Sequence, residues 1–206
     1  IGYEFNEAYI KESRNSIQKK FPGVDNYTLF KKDFFTVDWK KELRKYDPPI
    51  LIIGNPPWVL SSNQTKFEGS NLPKKTNLNN LPGIEALTGS GDFDISEYII
   101  RELCESLLQL PKTQQSTPES EINFLVMLCK EKVAHSLLRF INEEQIYQCN
   151  ISIYRFDSKK YFDVSVDACL LTITTGINPT HEYVYAPIYS LENPHVLQGS
   201  IGFYHK

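Results

Sequence analysis

"ILIIGNPPW", residues 50–58, decides how the chain is read. Four apolar residues, Ile50 to Ile53, run without polar alternation into Gly54 and stop at Asn55, two prolines and Trp58. Such a run fits a central parallel strand covered on both faces, so Leu51, Ile52 and Ile53 are expected inside a sheet. Pro56 and Pro57 fix φ and carry no N–H, which ends the strand and stiffens the turn. The turn then offers two acceptors, the Asn55 amide oxygen and the Pro56 carbonyl, beside the flat face of Trp58. That set suits a planar molecule with an exocyclic NH₂ group. Its two hydrogens would meet the two acceptors while its ring stacks on the indole. An aromatic amine is a poor nucleophile because its lone pair is delocalised into the ring. Acceptors that hold both hydrogens out of plane localise that pair and favour attack on an electrophilic methyl group, by positioning and electrostatics. Read without this chemistry, the same four residues are a plain rigid turn.

Around this stretch, strands and helices alternate. Residues 1–4 read as the end of a strand, and 7–20 as a helix stopped by "FPG". "YTLFKKDFF" gives a short strand, and 40–46 a short helix. Residues 94–110 carry Ile95, Ile99, Leu103 and Leu107 on one helical stripe, with Asp94 or Ser96 as cap. "INFLVMLC" is another buried strand, followed by a helix over 130–141. "QIYQCNISIYRF" and "SVDACLLTITT" read as two strands joined by "DSKKYFDV", an antiparallel hairpin at one edge of the sheet. After Gly176 the chain turns Pro-rich and irregular, with "EYVYAPIY" a candidate strand. The pattern predicts an open, mostly parallel α/β sheet with ligands at the carboxyl ends of its strands, where Asn55 lies. Residues 59–92 hold five Asn and four Gly with little periodicity. A loop of that length in a compact domain is functional or solvated.

Composition narrows the class. The 206 residues are enough for one sizeable core, and 41% hydrophobic with 23% charged residues is ordinary for a globular protein. No apolar run reaches the ~18 residues of a membrane span. A net charge of −3 means that any nucleic-acid contact uses a local basic patch. Cys104, Cys129, Cys149 and Cys169 have no CxxC spacing and sit in or beside apolar runs. They read as packed, reduced thiols in a cytoplasmic protein. The cysteines and His135, His181, His195 and His205 show no metal-ligand spacing, so no metal site is expected.

"NPPW" after a buried strand resembles the (D/N/S)PP(Y/F/W) motif of S-adenosylmethionine-dependent amino-methyltransferases that modify adenine N6 or cytosine N4 in DNA. Other stretches match in order. "IGYEFNEAYI" is similar to the family's acidic motif, which implies that Glu4 holds the cofactor ribose; alone, Glu4 is a strand-end carboxylate. "KKDFF" resembles the next motif, with Asp33 accepting from the cofactor adenine and Phe34 packing on it; alone, Asp33 is a cap or turn residue. "FDISEYIIREL" resembles the helix-opening segment after the catalytic loop, with Asp94 at its acidic start and Ile99 where an aromatic is often found. "YFDVSVDACLLTI" resembles the terminal hairpin, where Phe162, with Tyr161 as the adjacent alternative, matches the aromatic facing the target base; its other reading is a buried hairpin aromatic.

The resemblance covers residues 1 to about 175 and is closest to adenine-N6 enzymes of bacterial restriction-modification systems. It implies a Rossmann-like class I methyltransferase sheet with a catalytic core over 1–176 and an extension over 177–206 leading toward a recognition domain. The glycine-rich cofactor loop and first strand of the family are not in these residues, so the chain is expected to be an internal piece, inactive alone. In this reading Asn55, Pro56, Pro57 and Trp58 are catalytic, and Trp58 and Phe162 stack on the base. Glu4, Asp33, Phe34 and Asn55 hold S-adenosylmethionine. The partner is double-stranded DNA with a flipped adenine, together with specificity or nuclease domains, and no membrane. Lys66, Lys74 and Lys75 are candidates for DNA backbone contact. Two alternatives stand beside it: methylation of another amine or amide (cytosine N4, an RNA base, a protein glutamine), and a non-catalytic binding module on the same fold.

Overall fold

A computed structural model of the chain describes residues 1–59, 94–111, 121–177 and 183–203. It contains two compact units; the described residues Ile1–Asp38 belong to the first and those from Trp39 onward to the second. The expected loop over 59–92, apart from its first residue, and with it Lys66, Lys74 and Lys75, lies outside the described residues.

In the first unit, strands β1 (Gly2–Glu4) and β2 (Leu29–Lys31) pair in parallel, with Glu4 opposite Lys31. Parallel neighbours need a crossover, and helix α1 (Glu7–Lys20) supplies it. Asn6 caps α1 by accepting from the Ala8 N–H at 2.9 Å, and the helix ends at Phe21, as the "FPG" stop predicts. Tyr3 stacks on Phe30 with ring centroids 5.5 Å apart.

The second unit runs α2 (Trp39–Leu43), β3 (Leu51–Gly54), α3 (Ile95–Leu108), β4 (Asn123–Lys130), α4 (Glu131–Glu143), β5 (Cys149–Phe156), α5 (Ser158–Phe162), β6 (Ala168–Thr175), β7 (Val184–Ser190) and β8 (Leu197–Phe203). Its sheet has the order β3-β4-β6-β5-β7-β8. Strands β3 and β4 are parallel, as are β5 and β7; β6 is antiparallel to both β4 and β5, and β8 to β7. Hence β3, β4, β5 and β7 share one direction, and β6 and β8 run against it. This is a Rossmann-like mixed α/β sheet whose hairpin, β5–β6, is antiparallel as expected but lies inside the sheet and not at an edge, because β6 inserts between β4 and β5 and β7 pairs on the far side of β5.

Alternation along the strands builds the core. Leu125, Met127 and Cys129 of β4, Cys169, Leu171 and Ile173 of β6, and Ile151 and Ile153 of β5 share one buried face. Helices α3 and α4 contact that sheet, burying the predicted stripe Ile95, Ile99, Leu103 and Leu107 together with Val133, Leu137 and Ile141.

Two further expectations are corrected. Strand β3 is not covered on both faces. It is the edge strand among the described residues, and Leu51 and Ile53 are 57% and 72% exposed. Its apolar run is longer than the burial it finds, because only Ile52 and Gly54 face toward the covered side. Second, the described part of the stretch after Gly176 is more regular than expected: the candidate strand in "EYVYAPIY" is β7, and β8 extends the same sheet beyond it. Pro187 is tolerated inside β7 because it lies just before the three-residue register with β5, which runs from Ile188 to Ser190.

Gly176 ends β6 at φ +80°, and a Cβ placed there would lie 2.1 Å from the Glu121 carbonyl oxygen. Both the left-handed backbone and the contact with main chain exclude a side chain. Gly176→Ala is expected to cost about 2 kcal/mol or more, read as a lower denaturant midpoint at unchanged slope. An unchanged midpoint would show that the β6 end relaxes freely.

Candidate active site

Because β3, β4 and β5 share a direction, their carboxyl ends lie along one rim of the sheet. The Asn55–Trp58 turn leaves β3 there. Gly54 precedes it, and a Cβ on Gly54 would sit 2.7 Å from the Met127 sulfur, so the Met127 side chain of β4 lies over this glycine at the root of the turn. Asn55 and Pro57 are exposed and Pro56 is buried. The turn is therefore anchored by one proline while its amide faces outward.

Two bonds hold its exit, and Asp94 ties their anchors together. The Trp58 indole N–H donates to the Leu128 carbonyl of β4 at 3.2 Å. The Ile95 N–H, first in α3, donates to the Val59 carbonyl at 3.0 Å. Asp94 is 4% exposed; its Oδ1 accepts from the Ser96 N–H (3.1 Å) and hydroxyl (2.6 Å), and its Oδ2 accepts from Lys130 Nζ at 2.8 Å. Of the two cap candidates, Asp94 is the one used, and it also ties α3 to the end of β4.

Phe162 reaches the same rim on α5. Asp157 caps this short helix by accepting from the Lys159 and Lys160 N–H groups. Asp163 closes it at φ 54°. The Ser158 hydroxyl lies 2.9 Å from the Val164 carbonyl and folds the following segment back. The Phe162 and Trp58 rings meet edge to face, centroids 6.2 Å apart and planes at 73°. Phe156 supports both Phe162 (5.9 Å) and Tyr161 (5.8 Å) from behind. The structure thus brings Trp58 and Phe162 together, with Tyr161 one ring further from the indole. They are in edge contact, so a flat molecule enters between them only when one ring turns.

Glu4, Asp33 and Phe34 lie in the first unit, at the carboxyl ends of β1 and β2. Glu4 Oε1 accepts from the Asn6 N–H at 2.7 Å, and the Lys32 N–H bonds the Glu4 carbonyl at 3.0 Å. Asp33 caps a 3₁₀ turn over Phe34–Thr36, its Oδ1 accepting from the Phe35 N–H at 2.9 Å. Its capping role is therefore real, and it leaves the carboxylate oriented by local bonds. Phe34 meets Phe35 edge to face at 5.6 Å.

Beside the end of β4 is an open cleft lined by Lys130, Glu131, Lys132, His135, Arg155 and Asp167. Arg155 bonds both oxygens of Glu131, which holds that carboxyl below the usual carboxylate range against the effect of burial. With Lys130 on Asp94, the cleft's charges are largely matched within the protein, so it is not a strong basic patch. The four cysteines are free. Burial pushes the Cys149 thiol up to about 12 and raises Cys104; contact with Cys169 and burial raise Cys129. None of these three has thiolate character for nucleophilic chemistry. Among the described residues no His, Cys, Asp and Glu side chains group as a metal site, and no helix is long and apolar enough to cross a membrane.

Lys130 and the Ile95–Val59 bond escaped the sequence reading. Their partners lie 36 residues away in each case, and no local pattern marks them.

The chain is 35% identical over 170 residues to the Type II methyltransferase M.NspV of Nostoc sp., a match that takes in 82% of this chain. The chain spans 33% of the length of that relative. No protein-family model matches it.

Proposed function

We propose that the chain is the core of an S-adenosylmethionine-dependent DNA methyltransferase of a restriction-modification system, acting on the exocyclic N6 of an adenine taken out of the duplex. The observation that carries this is the outward-facing Asn55 amide at the end of β3, with Trp58 pinned to Leu128 beside it and Phe162 across from it. The likeness to a Type II methyltransferase over most of the chain supports the same reading.

In this proposal the Asn55 amide oxygen and the Pro56 carbonyl accept the two amine hydrogens, and Trp58 with Phe162 encloses the base after Phe162 turns. Extrusion is needed because a stacked base cannot present its amine to a concave site. The cofactor supplies an electrophilic methyl group on a sulfonium. Glu4 would hold its ribose: a carboxylate fixed by one backbone N–H still has acceptor capacity for a diol. Asp33, held by its own cap, would accept from the adenine amine, with Phe34 against the ring. The donor set fits the adenosine half of the cofactor. We divide the proposed core as 1–176 with an extension over 177–206. The cytoplasm is the compartment that suits this role.

The test is to incubate the full-length protein with unmethylated duplex DNA and labelled cofactor, then digest to nucleosides. Label in N6-methyladenine is the expected result. Label only in N4-methylcytosine would move the target, and label in no nucleoside would overturn the proposal.

A further inference from the structure

The geometry points to Lys130 as a positioning residue for the Asn55–Trp58 turn, an inference that rests on the methyltransferase reading above. Lys130 is the last residue of β4, and its side chain is 17% exposed against 3% for Asp94, its partner at 2.8 Å. Placing both charges away from water is costly, and the pair by itself is weak evidence for stability. Its placement is more informative. Strand β4 holds the turn at one point, through Leu128 and the Trp58 indole, and α3 holds it at the next residue, through Ile95 and Val59. These two grips agree only if the start of α3 keeps a fixed position relative to the end of β4. The Lys130–Asp94 pair is the direct side-chain bond between those two ends. It closes a triangle of turn, strand and helix, with Asp94 serving both as helix cap and as acceptor for the lysine.

Without the lysine, Asp94 keeps its cap but has a buried oxygen with no cation. Relaxation would move the α3 start and carry Val59 with it. Reacting groups displaced by about 1 Å lose on the order of 10²-fold in rate, so a tenfold fall is expected even for a smaller shift.

The experiment uses the full-length protein labelled with 5-fluorotryptophan, with the Trp58 resonance identified by its loss in Trp58→Phe. Lys130→Met is expected to lower kcat for methyl transfer by about tenfold or more and to leave cofactor affinity within about twofold, the pattern of lost transition-state positioning. It should also shift or broaden the Trp58 resonance, and Lys130→Arg should restore both readouts in large part. Asp94→Asn keeps an oxygen for the cap but turns an NH₂ toward the lysine. It is expected to reproduce the Lys130→Met effects and serves if that variant does not fold. A Lys130→Met protein with unchanged kcat, or with lowered kcat but an undisturbed Trp58 resonance, overturns the inference. Absence of methyl transfer in the unsubstituted protein would instead sink the methyltransferase reading, and the Trp58 resonance would still decide whether Lys130 positions the turn.

Discussion

Asn55→Ala in the full-length protein is expected to lower methyl transfer by about 10²–10³-fold, the scale seen when one preorganised hydrogen-bonding group is removed from a reacting centre. Asn55 is exposed at the end of β3, so its truncation leaves no cavity and no buried orphan. The turn keeps its shape through the two prolines, the buried Pro56 and the Trp58–Leu128 bond. Cofactor affinity should therefore change little, since Glu4 and Asp33 supply the adenosine contacts in the proposal. Asn55→Asp separates acceptor from shape. It retains an oxygen where the amine hydrogen is taken, so its loss should be clearly smaller than that of alanine. Single-turnover rates with saturating DNA and cofactor decide the matter. Near-normal turnover of Asn55→Ala would mean that the amide does not touch the reacting amine.

Glu97→Leu carries the largest expected effect on stability. Glu97 and Arg101 are 7% and 8% exposed and pair within α3. The Ser136 hydroxyl of α4 donates to Glu97 Oε1 at 2.7 Å, and the Arg101 guanidinium lies 4.5 Å from the Phe140 ring centroid. The network thus joins the two helices that cover the sheet. Removing only the carboxylate takes the ion pair from a buried guanidinium and an acceptor from the Ser136 hydroxyl, at a cost of about 3–5 kcal/mol. Hydrogen exchange of α3 and α4 amides in the full-length protein reads this locally: a loss of that size speeds exchange by at least about 10²-fold where opening limits it. Glu97→Leu combined with Arg101→Met removes both charges and should recover most of the protection. If the double variant is as weak as the single one, the helices are joined by packing lost at position 97 and not by charge.

The elements that local sequence determined are those whose signal is local. The α3 stripe of Ile95, Ile99, Leu103 and Leu107 is buried as its spacing requires, although Ile100, Cys104, Glu97 and Arg101 are buried as well, so the helix is covered on more than that stripe. The stop at Phe21, the Asp94 cap and the β5–β6 hairpin follow from short-range chemistry of the same kind. The Asn55–Trp58 turn was legible because two prolines restrict the backbone whatever surrounds it. What the tertiary structure alone decided involves partners far apart in the chain. An apolar run states how much a strand could bury, not what it meets, so "LIIG" became an edge strand with Leu51 and Ile53 exposed. Pro187 argues against a central strand until it is known that the pairing of β7 with β5 starts only at Ile188. The contact of Trp58 with Phe162, across 104 positions of sequence, and the bond from Lys130 to Asp94 depend on which strands neighbour which. That order is set by summed burial of whole faces against α3 and α4, a quantity that no single stretch of residues contains.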